Sequence, residues 1–225
     1  MAFISPEDGY LAVFNLFDTK DAADQERLLE AMKEIINTAD YDGWVASTVH
    51  GAVGRPGTAN YVQWRSREQL EARYRGQKFQ QKTVPQFASI ATSTNLVPTE
   101  VVYSQRHPSL DAVEISPDRD DYTVIIVMQV APENQDRLIE LMSYPDEWVK
   151  TVPGYRSHSI HRGVDGTYVI NYAQWESQEQ YEAFHNLPEH ERPVDIQKVR
   201  AEARPLVTSR VSNGYRVAHS RSAGQ

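Results

Sequence analysis

The residues of this chain that are best placed to do chemistry occur twice, in a template that repeats after 111 positions. The first copy contains Asn60 and Trp64, and the second contains Asn171 and Trp175, each pair at the ends of an Asn-Tyr-X-Gln-Trp run. Alternate residues of a strand share a face, so each Asn lies on the same side as its Trp. Asn is uncommon in strands, and a buried amide needs hydrogen-bonding partners. We therefore interpret the two pairs as polar walls of a binding pocket.

A structural role for the same side chains stays open at this point. The two Trp could be core aromatics, and the two Asn could satisfy neighbouring turns. The repeat itself favours a cavity, because two copies of a small unit can pack face to face and enclose a space that neither copy closes alone. We expect the Asn and Trp pairs to face such an enclosed hollow between the two halves.

The template lies in two segments that share one order of predicted elements, strand-helix-strand-strand-helix-strand. Runs of β-branched and aromatic residues predict the strands, and apolar residues at helical spacing predict the first helix of each segment. Around the template strands, these elements are predicted at 10–17, 28–36, 44–50 and 96–104 in the first segment, and at 122–130, 138–142, 155–161 and 206–217 in the second. This order is that of a ferredoxin-like unit.

Each template strand is predicted to run into a helix that begins at a serine. Ser66 and Ser177 are the predicted N-caps, with Gln69 and Gln180 as capping-box partners. The helices of such a unit cover one face of its sheet and leave the other face bare. We therefore predict an α+β protein of two tandem ferredoxin-like βαββαβ units, packed sheet to sheet as an intramolecular αβ barrel.

The predicted units occupy residues 1–104 and 120–217, each about 100 residues long, which is a typical domain size. Residues 105–119, which contain prolines and mixed charge, are predicted to be a linker. Residues 218–225 are predicted to be a loose tail.

Composition argues against several partners and chemistries. The 225 residues carry a formal net charge of −8 without a cluster of Lys and Arg, which argues against nucleic acid as a partner. Cysteine is absent, which excludes disulfides and thiolate nucleophiles. No group of His and carboxylate residues has a metal-ligand spacing, so we predict no metal site. The N-terminus is not a signal peptide and no apolar run could span a membrane, so we predict a soluble cytoplasmic protein.

The second unit resembles the antibiotic-biosynthesis monooxygenases, and the first unit resembles them more weakly. The resemblance is carried by Val152-Pro153-Gly154-Tyr155, His161, Asp165-Gly166-Thr167, and Asn171-Tyr172-Ala173-Gln174-Trp175-Glu176-Ser177, with Tyr181 six positions after the Trp. It implies an αβ barrel and an oxygenase that needs neither metal nor organic cofactor. The implied reaction uses O2 to oxidise an aromatic polyketide, for example an anthrone-like phenol to a quinone.

The resemblance also implies roles for individual residues. Asn171 and Trp175 would donate hydrogen bonds to oxygens of the substrate or of a peroxide, and Tyr181 would relay a proton. By the repeat, Asn60 and Trp64 would take the first two roles in the first unit.

The two units differ at other positions of the family's pattern. Asn15 resembles a second Asn used in related enzymes and has no counterpart in the second unit, whereas Leu70 replaces Tyr181 in the first. We therefore expect two unequal cavities. His50 and His161 are repeat equivalents that could bind substrate or accept its first proton, although such residues are more often solvated strand ends.

The remaining histidines and charges receive structural interpretations. His158 is predicted on the strand face opposite His161. The run Glu189-His190-Glu191-Arg192 is predicted to be a solvated face.

Other functions of this fold supply alternatives. Tandem members that open aromatic rings use reduced flavin as a diffusible co-substrate, and nothing in this sequence excludes that chemistry. Haem degradation is disfavoured, because Thr83 and Val194 stand where the axial His would be. A non-enzymatic module that shelters a reactive aromatic intermediate is a third alternative. The fused pair could also associate further as a homodimer.

Overall fold

The computed structural model describes residues 2–224. Within that range the strands are β1 (Ala2–Phe3), β2 (Leu11–Thr19), β3 (Trp44–Ala52), β4 (Gly57–Trp64), β5 (Ala91–Arg106), β6 (Glu114–Ile115), β7 (Tyr122–Val130), β8 (Tyr155–Gly163), β9 (Tyr168–Trp175) and β10 (Val207–Ser222). The α-helices are α1 (Ala22–Asn37), α2 (Arg67–Arg75), α3 (Val84–Ala88), α4 (Gln135–Met142), α5 (Gln178–His185) and α6 (Val194–Ala203). A π-helical turn, Phe79–Thr83, precedes α3. No helix in residues 2–224 is both long and apolar enough to cross a membrane.

Eight of the strands form one closed antiparallel barrel, in the order β10-β3-β4-β2-β5-β8-β9-β7. Each unit contributes four neighbouring strands in the same internal order, which is that of a ferredoxin-like sheet. Two seams join the units, since β5 pairs with β8 and β10 pairs with β3. The predicted architecture, two tandem ferredoxin-like units in an intramolecular αβ barrel, is therefore confirmed.

The barrel interior is a packed core. Phe14, Tyr61 and Tyr172 have no exposed surface, and their ring centres lie 5.1 to 6.4 Å apart. Side chains this large fill the centre of the barrel. A pocket of about 210 Å³ is lined by residues of both units, but none of the four template Asn and Trp side chains borders it. The predicted enclosed hollow between the two halves is therefore wrong.

His50 and His161 belong to this core. Nε2 of His50 lies 2.8 Å from the Tyr172 hydroxyl, and the His161 ring packs edge-on against Phe14 with 4.9 Å between ring centres. Both histidines are fully buried, and burial lowers their pKa values, to about 4 for His50 and about 3 for His161. The structure thus corrects both interpretations of these residues, because side chains sealed between the sheets are neither solvated strand ends nor substrate contacts.

One end of the barrel is closed by β1 and β6, which pair with each other. We call this strand pair the plug. The template glutamines bind it through hydrogen bonds: Nε2 of Gln63 donates to the Phe3 carbonyl at 2.7 Å, and Nε2 of Gln174 donates to the Glu114 carbonyl at 2.8 Å. Segment 105–119, expected to be only a linker, thus contributes regular structure to the barrel. The boundaries of the two units stay a prediction.

The last strand is longer than the sequence predicted. β10 continues to Ser222, which pairs with Ala46 of β3. The predicted loose tail, residues 218–225, is therefore wrong as far as Ser222, and Gln225 lies outside the described residues. These residues complete the seam that closes the barrel.

The predicted serine caps are confirmed. Ser66 accepts a hydrogen bond from the backbone N–H of Gln69 at 3.4 Å, and Ser177 accepts one from Gln180 at 3.3 Å. The capping-box part of the prediction is wrong, because the side-chain amides of the two Gln donate to neighbouring carboxylates instead. The cap of α5 nevertheless fixes the helix that follows the second template.

Candidate active site

The Asn and Trp of each template point away from the barrel interior. Because strand residues alternate, Tyr61 and Tyr172 fill the core while their Asn and Trp neighbours face the helices outside the sheet. The predicted sharing of one face by Asn and Trp is confirmed. That face is the helix-covered side of each unit, so any site built on these residues lies within one unit.

A cavity of about 540 Å³ separates this face of the second unit from helices α4, α5 and α6. Pockets for small molecules commonly have volumes of roughly 300–1,000 Å³. The apolar part of its wall includes Ile126, Met128, Leu138, Leu141, Phe184 and Val199. The cavity is therefore large and apolar enough for a flat aromatic molecule.

The corresponding space in the first unit has a volume of only about 80 Å³. Side chains of its helical segments fill it: Tyr74 packs on Phe79 with 4.9 Å between ring centres, and the Arg73 guanidinium lies 4.7 Å from the Phe79 ring. The expectation of two unequal cavities is confirmed. Three of the four residues of the first unit that were predicted for a site border this small space, Asn15, Asn60 and Trp64. The fourth, His50, lies in the barrel core.

The second unit brings its three predicted catalytic residues together, since Asn171, Trp175 and Tyr181 all line the large cavity. Oδ1 of Asn171 and Nε1 of Trp175 are buried without a hydrogen-bond partner in residues 2–224. Leaving a buried polar atom unpaired costs about 1–3 kcal/mol. Polar groups retained at such a cost beside a cavity favour a role in binding.

Aromatic neighbours fix the orientation of these side chains. The Trp175 ring lies 4.9 Å from Phe184 and 5.9 Å from Tyr181, and Tyr181 stacks on His185 with 5.5 Å between ring centres. Burial raises the pKa of Tyr181. Its hydroxyl therefore stays protonated at neutral pH and can donate a proton or a hydrogen bond.

The prediction of a solvated face for residues 189–192 is wrong for its last member. Arg192 is only 3% exposed, its Nη2 donates to the Phe184 carbonyl at 2.7 Å, and its guanidinium lies 4.8 Å from the Phe184 ring. Burial lowers the pKa of Arg192. A run of charged residues usually indicates solvent exposure. Such a run does not reveal that one of its side chains, here Arg192, packs against the cavity.

Positive charge dominates the polar part of the cavity wall. Asp146 is the carboxylate among the lining residues of the described chain, and Glu189, outside the lining, pairs with two of the arginines at 3.1 and 3.7 Å. An excess of positive charge favours anionic species in the cavity. Four arginines form this part of the wall: Arg192, Arg200, Arg204 and Arg210.

His158 also lines the cavity and is not among the site residues predicted from the sequence. It lies on the strand face opposite the buried His161, as predicted, and its Nδ1 is 2.9 Å from the Tyr155 hydroxyl. The pairing of His158 with Ala173 puts it on the face of Asn171 and Trp175, but that face was expected to look into the barrel. Over residues 2–224, no three His, Asp or Glu side chains are grouped closely enough to hold a metal ion.

Known proteins resemble both the second unit and the whole chain. The family described as antibiotic biosynthesis monooxygenase matches residues 121–195. Tetracenomycin-F1 monooxygenase of Streptomyces glaucescens is 33% identical over 93 residues, which cover 41% of this chain and 83% of that protein. The crystal structure of an anthrone oxidase-like protein matches with a TM-score of 0.93 and 38% identity, covering 100% of this chain and 98% of the other. A monooxygenase candidate from Fusobacterium nucleatum subsp. nucleatum matches with a TM-score of 0.64 over 96% and 95% of the two chains, and at 12% identity this likeness shows the fold alone.

Proposed function

The chain belongs to the antibiotic biosynthesis monooxygenase family, and from this premise we propose that it is a cofactor-independent monooxygenase for an aromatic polyketide. The proposed reaction uses O2 to convert an anthrone-like phenol into a quinone. It takes place in the cavity of the second unit. The observation that carries the proposal is that Asn171, Trp175 and Tyr181 meet at the wall of one cavity of about 540 Å³.

This reaction requires little of the protein beyond a dry cavity and well-placed hydrogen bonds. An anthrone loses a proton to give a stabilised carbanion, which passes an electron to O2, and the resulting peroxide loses water to give the quinone. Negative charge thus moves from the ring system to the peroxide oxygens. Preorganised donors directed at such charge typically contribute about 2.7–4 kcal/mol each. They act most strongly where water is excluded.

Each polar group of the cavity has a part in this chemistry. Trp175 donates to the substrate and peroxide oxygens through Nε1, which is buried without a partner in the described chain. Asn171 donates to them through its side-chain N–H groups, and its unpaired Oδ1 accepts a hydrogen bond from a phenol of the substrate. Tyr181 donates a proton to the departing oxygen, since its raised pKa keeps the hydroxyl protonated. The cavity arginines stabilise the anionic intermediates.

The first unit has a structural part in this proposal. A space of about 80 Å³ cannot hold a ring system of three or four fused rings. Catalytic roles for Asn60 and Trp64, and substrate binding by Asn15, stay predictions from the repeat. Comparing equivalent variants of the two units tests them directly.

The names of two similar proteins support an aromatic polyketide as the substrate class. One relative is a tetracenomycin-F1 monooxygenase and another is an anthrone oxidase-like protein. Their names describe those proteins, and extending the substrate class to this chain is part of the proposal. A cytoplasmic location and a homodimer also stay predictions.

The test is oxygen uptake and quinone formation with dithranol, an anthrone with two phenol groups, in the absence of added flavin and metal. We expect turnover above the spontaneous rate. Asn171→Ala should lower kcat roughly 100-fold or more, the usual loss for one oxyanion donor. Asn60→Ala is the matched variant, and its rate should stay within about twofold of wild type.

Three results would count against the proposal. Equal rates for wild type and Asn171→Ala would remove this amide from the mechanism. Uptake that starts only when a flavin reductase is added would favour the ring-opening alternative with reduced flavin. Quenching of Trp fluorescence by an anthraquinone, without any oxygen uptake from the anthrone, would favour a binding module.

A further inference from the structure

The cavity contains a histidine whose hydrogen bonds determine which ring nitrogen carries the proton. His158 is on β8 at the seam with β5, where it is the register partner of Gln105. Its ring lies 5.9 Å from that of Tyr155, and its Nδ1 is 2.9 Å from the Tyr155 hydroxyl oxygen. The side chain is partly buried and lines the cavity.

The same hydroxyl has a second partner that decides its direction. The Tyr155 oxygen lies 3.0 Å from the backbone carbonyl of Gln105, and this bond is buried. A carbonyl only accepts, and a phenol has a single hydrogen, so Tyr155 donates to Gln105. The Tyr155 oxygen therefore accepts from His158, which places the ring hydrogen on Nδ1.

The other ring nitrogen is left with an available lone pair. Nε2 of His158 has no hydrogen-bond partner in the described part of the chain, and it is the ring nitrogen that can reach a molecule in the cavity. Burial lowers the pKa of His158 to about 4, so the imidazole is neutral at neutral pH. Burial also raises the pKa of Tyr155, which keeps its hydroxyl protonated.

We propose that Nε2 of His158 is the base that removes the first proton from the substrate, with Tyr155 and the Gln105 carbonyl as its positioning groups. This inference rests on the proposed function and adds the proton acceptor that the reaction requires. The C–H bond of the anthrone methylene breaks, its electron pair passes into the ring system as an enolate, and the proton moves to Nε2.

The remaining steps return His158 to its starting state. O2 is the oxidant: it takes up electrons from the enolate, a C–O bond forms, and the peroxide anion recovers the proton from the imidazolium. Loss of the second C–H proton together with cleavage of the O–O bond then gives the quinone carbonyl and water. One methylene and one O2 are thus converted to one carbonyl and one water.

Two other cavity groups could accept a proton, and each is less well placed. Oδ1 of Asp146 accepts the backbone N–H of Val149 at 2.9 Å, so this carboxylate is committed to a turn. His185 is exposed and stacks on Tyr181. His158 is the candidate whose tautomer and orientation are both fixed by hydrogen bonds, its own to Tyr155 and the buried one from Tyr155 to Gln105.

The test separates proton removal from oxidation. Without oxygen, in D2O, exchange of the methylene hydrogens of dithranol is followed by NMR with wild type and variants. Wild type should accelerate exchange, and His158→Gln should reduce the acceleration about 100-fold or more, within the usual contribution of general base catalysis. His190→Gln, on a side chain that is 84% exposed, is the matched control and should behave as wild type.

Further variants keep the proposal falsifiable if His158→Gln folds poorly. Tyr155→Phe retains the histidine but removes its acceptor, so it should lose about tenfold in exchange rate. Added imidazole should partly restore exchange to His158→Ala, which has room for the missing ring. Circular dichroism checks the fold of each variant.

Different results would overturn the role of His158 and the proposed oxidation. Exchange by His158→Gln at the wild-type rate, or loss of exchange in Asp146→Asn alone, overturns the assignment to His158. Oxidation of dithranol by wild type without accelerated exchange overturns it as well. Exchange that depends on His158 without any oxygen uptake supports the base and contradicts the proposed oxidation.

Discussion

The role of each template residue depends on which face of its strand the side chain occupies. Tyr and Gln of both copies point into the barrel, where Tyr172 meets His50 and the two Gln hold the plug. Asn171 and Trp175 point outward to the cavity. Core, plug and site are therefore all encoded in one short run, because neighbouring positions of a strand serve opposite faces.

At this scale the indole N–H of Trp175 is the simplest group to test. Trp175→Phe keeps an aromatic ring against Phe184 but removes the donor, whose nitrogen has no partner in the described residues. We expect kcat to fall roughly 100-fold while KM changes little, since the lost interaction forms mainly with the charge of the transition state. Steady-state kinetics with dithranol measure both values. A higher KM at unchanged kcat would show that the indole only binds substrate.

The sequence could place residues on strand faces but could not say which face holds the ligand. Alternation put Asn171 with Trp175 and set His158 opposite His161, and both predictions are confirmed. Both faces of a barrel strand are buried, however, one by the partner sheet and one by helices. Side-chain type alone cannot distinguish them, so the pocket was expected inside and the wrong histidines were selected.

At the scale of elements, helix length separates the two units. α1 covers Ala22–Asn37 in the first unit, whereas its counterpart α4 covers only Gln135–Met142. The apolar spacing of the sequence had indicated this difference. The longer helix, together with the π-helical turn and α3, fills the outer face of the first sheet. The shorter helix leaves the space that becomes the cavity.

The cap of α5 should matter for activity as well as for stability. Ser177→Ala removes the acceptor for the Gln180 N–H, which should cost about 1 kcal/mol and lower Tm by roughly 2–4 °C. It should also lower kcat, because α5 carries Tyr181. Ser66→Ala is the matched control, with a similar loss of stability and an unchanged rate. Equal losses of rate in both variants would show that the cap acts on stability alone.

The end of β10 should be essential to the fold. Removing residues 218–225 breaks the pairing of β10 with β3 at Ser222 and the hydrogen bonds from Arg221 to the carbonyls of Ile36 and Ala39. At about 1 kcal/mol for each bond, the loss should be roughly 2–4 kcal/mol. Urea denaturation measures it. Removing only residues 223–225 is the control, and equal stability of the two shortened chains would contradict the role of this seam.

The sequence did not reveal that strand end because its composition resembles a tail. Small, polar and charged residues follow Val217, and large apolar residues no longer recur there. A seam strand is defined by its partner from the other unit. That partner is distant along the chain, so local pattern cannot supply it.

At the scale of the molecule, the two halves share one core. Hydrogen-bonded seams close the barrel on both sides, and the contact between His50 and Tyr172 joins residues of different units inside it. The site also spans the halves, because the Gln105 carbonyl of β5 orients Tyr155 and His158 of β8. The first unit therefore supports the cavity of the second even though its own space is small.

This shared core should make the protein sensitive to mild acid. The folded-state pKa values of His50 and His161, about 4 and about 3, lie below the unfolded value near 6.5. Their contribution to stability is complete above about pH 6.5 and is lost as pH falls toward the folded values. The slope is about 1.4 kcal/mol per pH unit for each histidine.

Urea unfolding between pH 7 and pH 5 tests this slope. His161→Gln should reduce the dependence of the unfolding free energy on pH by about 1.4 kcal/mol per pH unit below pH 6.5. His190→Gln, on an exposed side chain, should leave the slope unchanged. An unchanged slope in His161→Gln would show that this histidine does not remain neutral in the folded core.

In the proposed function, the cavity of the second unit lets an aromatic phenol react directly with O2. Mass spectrometry of the product formed under oxygen-18 gas, with a chelator present and without added flavin, tests it most directly. We predict a quinone that carries one oxygen-18 atom, formed faster than in the protein-free control, with the excess rate lost in Asn171→Ala. A quinone without the label, or labelled quinone formed equally fast by Asn171→Ala, would contradict the claim.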